Sequence, residues 1–251
     1  MEPLRKGRYL ARLAASAEDL RAAQRLRWLC FVARDGLAGD AAPLDADPLD
    51  ADCRHVLITD AATGQLVCCF RFLTLPGGRD IGRSYSAQFY DLAALESFDA
   101  PMVEVGRFCV HPSAGDPDII RLAWAALTRI VNDGGVQMLF GCSSFGGTEP
   151  AVHADAFAML QQRHLAPRRW WPRIKAPHVF RLARALRPGP LDAKRALAAM
   201  PPLLRSYLAM GGWVSDHAVV DPVLRTMHVF TGVEIGTIPP ARQRLLRATA
   251  G

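Results

Sequence analysis

Stretches of apolar residues divide the chain into short strands and amphipathic helices. Segments 54–60 and 65–75, "RHVLITD" and "QLVCCFRFLTL", flank "AATG", and this pattern is typical of a β-hairpin. "SAED" at 16–19 matches a capping box, and apolar residues at helical spacing follow it. The pattern also predicts strands at 102–111, 136–145 and 226–235 and helices at 115–131 and 149–165. This order predicts an α/β fold in which one mixed sheet is flanked by helices.

The predicted strand 102–111 carries two charges in an otherwise apolar sequence. Glu104 and Arg107 are three positions apart, so a regular strand would place them on opposite faces. Gly106 lies between them, and glycine often marks a β-bulge, which would return both side chains to one face. The stretch is therefore interpreted as a bent strand that presents an acid and a base. A buried ion-pair network is the structural alternative, because buried charges must be paired whatever their role.

Length and charge limit the protein class. The chain has 251 residues, half of them hydrophobic, and a net charge of +6 to which arginine contributes most of the cations. We predict one domain over 1–251, with a basic helical and loop elaboration at about 163–215. The positive charge favours an anionic partner such as an acidic protein, a membrane surface or nucleic acid, although a solvated surface explains it equally well.

The cysteines, the histidines and the apolar runs of the sequence allow predictions about metal binding and the cellular compartment. None of the six cysteines forms a CxxC pair, and the histidines lack a metal-ligand spacing, so we expect free thiols and no metal site. The N-terminus lacks the apolar core of a secretory signal, and no run approaches the ~20 apolar residues that span a bilayer. We expect a cytoplasmic protein with at most a peripheral contact with the inner face of the membrane.

Several short motifs occur in an order that resembles the acyl-carrier-protein-dependent branch of the GCN5-related N-acyltransferases (GNAT), which includes the autoinducer synthases. These motifs comprise Arg27 and Phe31, Asp47-x-x-Asp50, Arg71 and Glu104-x-x-Arg107. The chain resembles the L-ornithine Nα-acyltransferases of ornithine-lipid synthesis more closely still. That similarity runs from residue 82 to about 230 and includes "GRSYSAQFYDL", "GTEPAVHADAFAMLQQRHLAPRRWWPR" and "PPLLRSYLAMGGWVSDHAVVDPVLRTMHVF".

The resemblance implies how the acyl donor binds. In this fold the fourth strand carries a bulge and splays from the fifth, here 136–145, and the gap admits a pantetheine arm. Users of coenzyme A follow the fourth strand with a glycine-rich turn that holds a pyrophosphate at a helix N-terminus. This chain has "HPSAGDPDII" instead, with Asp116 as the expected N-cap and Pro117 at the first helical position. The implied donor is therefore an acyl carrier protein, whose 4'-phosphopantetheine carries the acyl group, and no resident cofactor is expected. The side chains assigned to donor binding are Cys109, His111, Ser143, Ser144, Arg168 and Arg169.

The resemblance also implies the reaction. The α-amine of L-ornithine would attack the thioester of a 3-hydroxy or unsubstituted fatty acyl group directly, giving a lyso-ornithine lipid. Glu104 would act as the base, and Arg107 would keep it ionised and oriented. Asp47 and Asp50 would either bind the cationic acceptor or hold Arg27 and Arg71 in place, and both roles remain open. Phe31 is assigned to the acceptor side with them.

The basic segment 163–178, "RHLAPRRWWPRIKAPH", has two interpretations. Its arginines and two tryptophans suit a docking surface for an acidic carrier protein or an anionic membrane. A packed loop with Trp170 and Trp171 in the core is the structural alternative.

Two other functions remain as alternatives. One is an acyl-homoserine lactone synthase that uses S-adenosylmethionine within the same fold. The other is a non-catalytic basic protein that binds membrane or nucleic acid, although the arginine-rich stretch lacks a known nucleic-acid-reading motif. We expect no nucleic-acid partner.

Overall fold

The computed structural model describes residues 1–33, 43–186 and 191–250. The sequence also predicts an acidic loop over 36–52, of which residues 36–42 lie outside this description, as do residues 187–190 of the predicted elaboration. The chain divides into two compact units. The first comprises 1–74, 105–136 and 240–251, and the second comprises 75–104 and 137–239. The expectation of one domain over 1–251 stays a prediction.

Within the described residues, the first unit is a sheet with three α-helices. The elements are β1 (Leu4–Lys6), β2 (Tyr9–Leu13), α1 (Ala17–Phe31), β3 (Arg54–Asp60), β4 (Leu66–Leu75), β6 (Met102–Val110, of which 105–110 belong to this unit), α2 (Pro117–Asp133) and α6 (Pro240–Ala250). The order of the strands in the sheet is β1, β2, β3, β4 and β6. The predicted hairpin is confirmed, because β3 and β4 pair antiparallel. The strands β1 and β2 were not predicted.

Helix α1 begins where the sequence predicted. The side chain of Ser16 accepts a hydrogen bond from the backbone N–H of Asp19, which caps the helix. Its apolar residues Ala23, Leu26 and Cys30 pack in one core cluster with Leu57 of β3. This packing fixes the side of the sheet on which Arg27, also on α1 and 1% exposed, is buried.

The second unit is built around a long β-strand pair. The elements are β5 (Tyr90–Asp91), the start of β6, β7 (Met138–Gly146), α3 (Ala154–Arg163), β8 (Arg173–Ile174), β9 (Val179–Arg181), α4 (Ala193–Ala199), α5 (Pro202–Ala209), β10 (Trp213–Val214), β11 (His217–Asp221) and β12 (Thr226–Glu234). The order of the strands in the sheet is β6, β7, β12, β11 and β9; β10 also pairs with β12, and β5 and β8 form a separate pair. The predicted strands 136–145 and 226–235 and the helix at 149–165 are confirmed in type, with shifted ends.

Strand β6 is distorted where the sequence predicted a bulge. Its parallel ladder with β7 joins Met102, Val103 and Glu104 to residues 138–140, and it ends there, whereas β7 pairs with β12 as far as Gly146. Directly after Gly106, Arg107 has φ 52°, a left-handed conformation that is uncommon for a residue with a side chain. The mixed α/β sheet with an irregular central strand is therefore as predicted.

Segment 76–100, which showed little hydrophobic pattern, folds into short 3₁₀ turns. They span Gly78–Arg83, Ser86–Gln88 and Ala93–Leu95. Such turns are stabilised by hydrogen bonds between residues close in sequence, and they bury only single side chains. They therefore produce no periodic pattern of apolar residues in the sequence. This segment supplies the groups that bind Glu104.

Candidate functional site

The first unit contains a buried group of three arginines and three aspartates, called here the Arg–Asp cluster. Its arginines come from α1, β4 and β6, and its aspartates come from the segment that precedes β3. The members are Arg27, Arg71, Arg107, Asp45, Asp47 and Asp50. Through these ion pairs, the cluster joins one helix and two strands of this unit to the segment that precedes β3.

Asp50 is the most heavily bound member of the cluster. Its two oxygens accept from Nη1 and Nη2 of Arg27 at 2.7 and 3.0 Å, and Oδ1 also accepts from Arg71 at 2.6 Å. Gln24 donates to Oδ2 at 3.0 Å. Burial opposes the charge on Asp50, but the hydrogen bonds from Arg27, Gln24 and Arg71 outweigh it and hold the pKa of this carboxyl well below its usual range.

Asp47 and Asp45 bind the third arginine. Arg107 donates from Nη2 to Asp47 at 3.1 Å, and its Nε lies 3.1 Å from Oδ2 of Asp45. Asp47 also accepts from Arg71 at 3.0 Å, and Asp45 accepts from Nε of Arg27 at 2.8 Å. Each aspartate thus contacts two arginines. Asp47 and Asp50 therefore hold arginines in this structure, and their binding of the cationic acceptor stays a prediction.

Local structure explains the Asp-x-x-Asp spacing. Asp47 caps the one-turn helix Pro48–Ala51, and its side chain accepts from the backbone N–H of Leu49 at 2.8 Å. Asp50 reaches back to the N–H of Asp47, which completes a capping box. Sequence analysis missed Asp45, although "DADPLD" shows three acids at short spacing.

Glu104 lies in the second unit and is 5% exposed. Its Oε2 accepts from the backbone N–H of Tyr85 at 2.8 Å. Its Oε1 accepts from the backbone N–H of Ser86 at 2.8 Å and from the Ser86 hydroxyl at 2.6 Å. Sequence analysis identified Glu104 but neither of these partners. The predicted pairing of Glu104 with Arg107 stays a prediction.

Three other predicted residues of the first unit, Phe31, Cys109 and His111, are not members of the Arg–Asp cluster. Phe31 is the last residue of α1 and packs against the core cluster that contains Cys109. Cys109 is 5% exposed, and its Sγ lies 3.5 Å from that of Cys69, so its side chain faces the core. His111 is half-buried just after β6, where its Nδ1 accepts from the backbone N–H of Ser113 at 3.2 Å.

The two serines assigned to donor binding differ in environment. Ser143 is 6% exposed, and its hydroxyl accepts from Thr231 at 2.9 Å. Ser144 is exposed and pairs with His228 in the β7–β12 ladder. Because neighbours on a strand face opposite sides, only one of these side chains can line a given donor site, and Ser144 is the accessible one.

The basic segment 163–178 combines packing with exposure. Trp170 and Trp171 are half-buried, and Trp170 packs edge-on against Phe98 with ring centroids 5.4 Å apart. Arg169 pairs with Glu234 at 2.8 Å and lies over the Trp170 ring. Arg168 is exposed. The tryptophans are thus partly packed and Arg168 is presented to solvent, and the docking interpretation stays a prediction.

Over the described parts of the chain, no three His, Cys, Asp or Glu side chains are grouped so as to hold a metal ion. Within the same residues, no helix is both long and apolar enough to span a bilayer.

The distorted β6 and its short parallel ladder with β7 agree with the strand geometry that the resemblance to the GNAT class implies. The family model described as "Acetyltransferase (GNAT) domain" matches residues 26–125. Among solved structures, a CoA-dependent acyl-homoserine lactone synthase, MesI, has a TM-score of 0.50 at 12% identity, covering 96% of this chain and 95% of that one. At this identity the likeness concerns the fold alone.

Similarity to curated proteins defines the family. The L-ornithine N(alpha)-acyltransferase of Rhodobacter capsulatus is 35% identical, covering 88% of this chain and 88% of its own length. The protein of the same name from Rhizobium meliloti is 32% identical, covering 96% of this chain and 84% of its own length. The chain belongs to the L-ornithine Nα-acyltransferase family.

Proposed function

We propose that the protein transfers a fatty acyl group from an acyl carrier protein to the α-amine of L-ornithine. The observation that carries this proposal is the buried Glu104 carboxylate at the end of the β6–β7 ladder, in a chain whose relatives are named for this acceptor. The amine attacks the thioester carbon, the carbon–sulfur bond breaks, and the pantetheine thiol leaves.

Glu104 acts as the base in this proposal. The α-amine of an amino acid is mostly protonated at neutral pH, so it must lose a proton before or during the attack. A carboxylate that accepts three hydrogen bonds is stabilised in its charged form, and that form is the one able to take the proton. The proton passes to Glu104 directly or through one water.

In this proposal, the aspartates of the Arg–Asp cluster hold its arginines in place. We assign Asp47 and Asp50 to holding Arg27, Arg71 and Arg107, because their oxygens already accept from these guanidinium groups. Arg107 has the most exposed side chain of the three arginines, at 14% against 1% and 3% for the other two. Arg107 is therefore the arginine of the cluster that is most accessible to an anionic group of a substrate.

The start of α2 supports a carrier-protein donor. Asp116 caps this helix by accepting from the backbone N–H of Asp118 at 2.9 Å, and it also accepts from the hydroxyl of Tyr9 at 3.1 Å. Pro117 removes one further N–H. A helix start occupied by carboxylates repels a pyrophosphate, which coenzyme A carries and a carrier protein does not.

We therefore expect kcat/KM to be at least about tenfold higher with acyl carrier protein than with the same acyl group on coenzyme A, a ratio that needs only about 1.4 kcal/mol. The assay combines each donor with ornithine, other amino acids and S-adenosylmethionine, and mass spectrometry identifies the products. Equal values for both donors would contradict the carrier-protein assignment. Acylation of S-adenosylmethionine in place of ornithine would favour the lactone-synthase alternative.

We propose that Arg168 contributes to docking of the acidic carrier protein or of an anionic membrane surface. Arg168→Glu should raise the KM for the acyl carrier protein or release the protein from anionic vesicles, with kcat little changed. The effect should fade with salt, because exposed charges are screened beyond about 8 Å at physiological ionic strength. Arg169 is a poorer test, since its reversal also breaks the pair with Glu234.

Arg79→Glu is the matched control for this variant, because Arg79 is also exposed in the second unit and the change in charge is the same. If Arg168→Glu and Arg79→Glu behave alike at low salt, the docking surface lies elsewhere.

A further inference from the structure

The turn that precedes β5 buries two serines that the proposed reaction does not yet use. Ser84 is 2% exposed and Ser86 is 0% exposed. Both lie in a segment with little hydrophobic pattern, where polar residues are normally exposed. Their burial requires hydrogen-bond partners, and those partners differ.

Ser84 builds the turn itself. Its hydroxyl donates to the carbonyl of Ile81 at 2.7 Å and accepts from the backbone N–H of Ala87 at 3.1 Å. These bonds close the backbone around Tyr85 and Ser86. The N–H groups of both residues are directed at Glu104, one to each oxygen. The turn is thus a preformed receptor for a carboxylate.

The hydroxyl of Ser86 is a third donor to Glu104, and the direction of its hydrogen bond can be assigned. A hydroxyl has one proton, and that proton is donated to Oε1 of Glu104 at 2.6 Å. The Sγ of Cys142 on β7 lies 3.5 Å from the same hydroxyl oxygen. The thiol must therefore donate and the hydroxyl accept in this contact, so Cys142 supports the orientation in which the Ser86 hydroxyl points at Glu104.

We propose that Ser86 is a positioning residue that keeps Glu104 ionised and fixed for proton transfer. This role rests on the proposed function of Glu104 as the base. Burial penalises a charged carboxyl, and hydrogen bonds to the charged form offset that penalty. The hydroxyl of Ser86 is a side-chain contribution to this balance, whereas the N–H donors of Tyr85 and Ser86 belong to the backbone. Apart from Glu104, the ionisable side chains carried by residues 81–87, by β7 and by β6 are Arg83, Tyr85, Cys142, Arg107 and Cys109, and none of them is altered in the test below.

The test compares Ser86→Ala with Ser86→Thr, which retains the hydroxyl. In Ser86→Ala, the acid limb of the kcat/KM profile should move to higher pH by about one unit, the scale for losing one hydrogen bond to a charged group. We expect kcat to fall about tenfold at a pH near that limb, with the KM for the donor unchanged. Ser86→Thr should restore both the pH profile and kcat.

A second measurement does not depend on turnover. In protein labelled with ¹³C at the glutamate carboxyl carbon, the signal lost in Glu104→Gln identifies Glu104. Its titration midpoint should rise in Ser86→Ala and return in Ser86→Thr. Ser84→Ala is the matched control, because it weakens the turn without removing a side-chain donor to Glu104.

The outcomes separate this proposal from the one on which it rests. If Glu104→Gln is inactive but Ser86→Ala titrates and turns over as the unaltered protein does, Ser86 has no positioning role and Glu104 remains the base. If a folded Glu104→Gln protein is fully active, the base assignment itself fails. A loss of activity in Ser86→Ala and Ser84→Ala to the same extent, without a shifted titration, would mean that the serines only stabilise the turn.

Discussion

Replacement of Glu104 by glutamine should lower kcat by about 10²-fold or more, the usual scale for the loss of a general base. Glutamine preserves the size of the side chain, and the Ser84 hydroxyl also holds the turn, which should therefore stay in place. Glutamine has one carbonyl oxygen, which can accept from Ser86, whereas its NH2 group cannot accept from the N–H of Tyr85. It cannot take a proton from the ornithine amine. The measurement is steady-state turnover with acyl carrier protein as donor, with circular dichroism and thermal unfolding to show that the variant folds.

Glu96→Gln provides the control for this variant. Glu96 lies in the same unit and is exposed, so the same chemical change should leave kcat unaltered. A folded Glu104→Gln protein with full activity would return Glu104 to a structural role, namely a carboxylate that caps the turn at 84–86. If Glu104→Gln fails to fold, the main contribution of Glu104 would be its hydrogen bonds to the turn at 84–86. Glu104→Asp would then test whether a shorter carboxylate retains turnover.

Replacement of Asp50 by asparagine should lower the free energy of unfolding by about 3 kcal/mol or more, the scale for removing one partner from a buried ion pair. Asp50 accepts from Arg27, Arg71 and Gln24, and its side chain is 4% exposed. Asparagine leaves two buried guanidinium groups with too little negative charge around them. Urea unfolding, followed by circular dichroism, measures the difference from the unaltered protein.

Asp52→Asn is the matched control, since Asp52 lies two positions away and is exposed. Its effect should stay within about 0.5 kcal/mol, as is usual for surface substitutions. Equal stability of Asp50→Asn and the unaltered protein would show that the Arg–Asp cluster contributes no net stability. Asp50 would then be available for the other role considered for it, binding of the cationic acceptor.

The pH dependence provides an independent check on the same carboxyl. The pKa of Asp50 is lower in the folded protein than in the unfolded chain, because hydrogen bonds from arginine and glutamine outweigh its burial. The unfolded chain therefore binds the proton first as the pH falls. The stability due to Asp50 is complete above the unfolded pKa of about 3.9 and declines below it, so Asp50→Asn should unfold with a weaker acid dependence.

Features with a local origin could be predicted from the sequence. The start of α1 follows from Ser16, and the start of α2 follows from Asp116 and Pro117, because a cap depends on residues within one turn. The distortion of β6 was predicted from one glycine between two charges, and it falls at the adjacent residue, Arg107. The family could be recognised because its motifs occur in order along the chain.

The partners of those motifs were not predictable in the same way. Glu104 was singled out as a charge in an apolar strand, but Tyr85 and Ser86 are some twenty positions earlier, in a segment without periodicity. Asp45 was not predicted as a site residue, and its contacts with Arg27 and Arg107 join positions that are far apart in the chain. Cys109 was assigned to donor binding through the family resemblance, and only the structure shows that its side chain packs in the core.

The sequence by itself thus determined the class of fold, the family and the identities of the charged residues, because periodicity, caps and ordered motifs are properties of neighbouring positions. Only the tertiary structure decided which charged side chains contact one another. Aspartates of one loop are shared among arginines from a helix and two strands, and the strand carboxylate is bound by a turn that no pattern marks. Such contacts depend on how the chain packs around buried polar groups, where each charge must find donors or acceptors within about 3 Å.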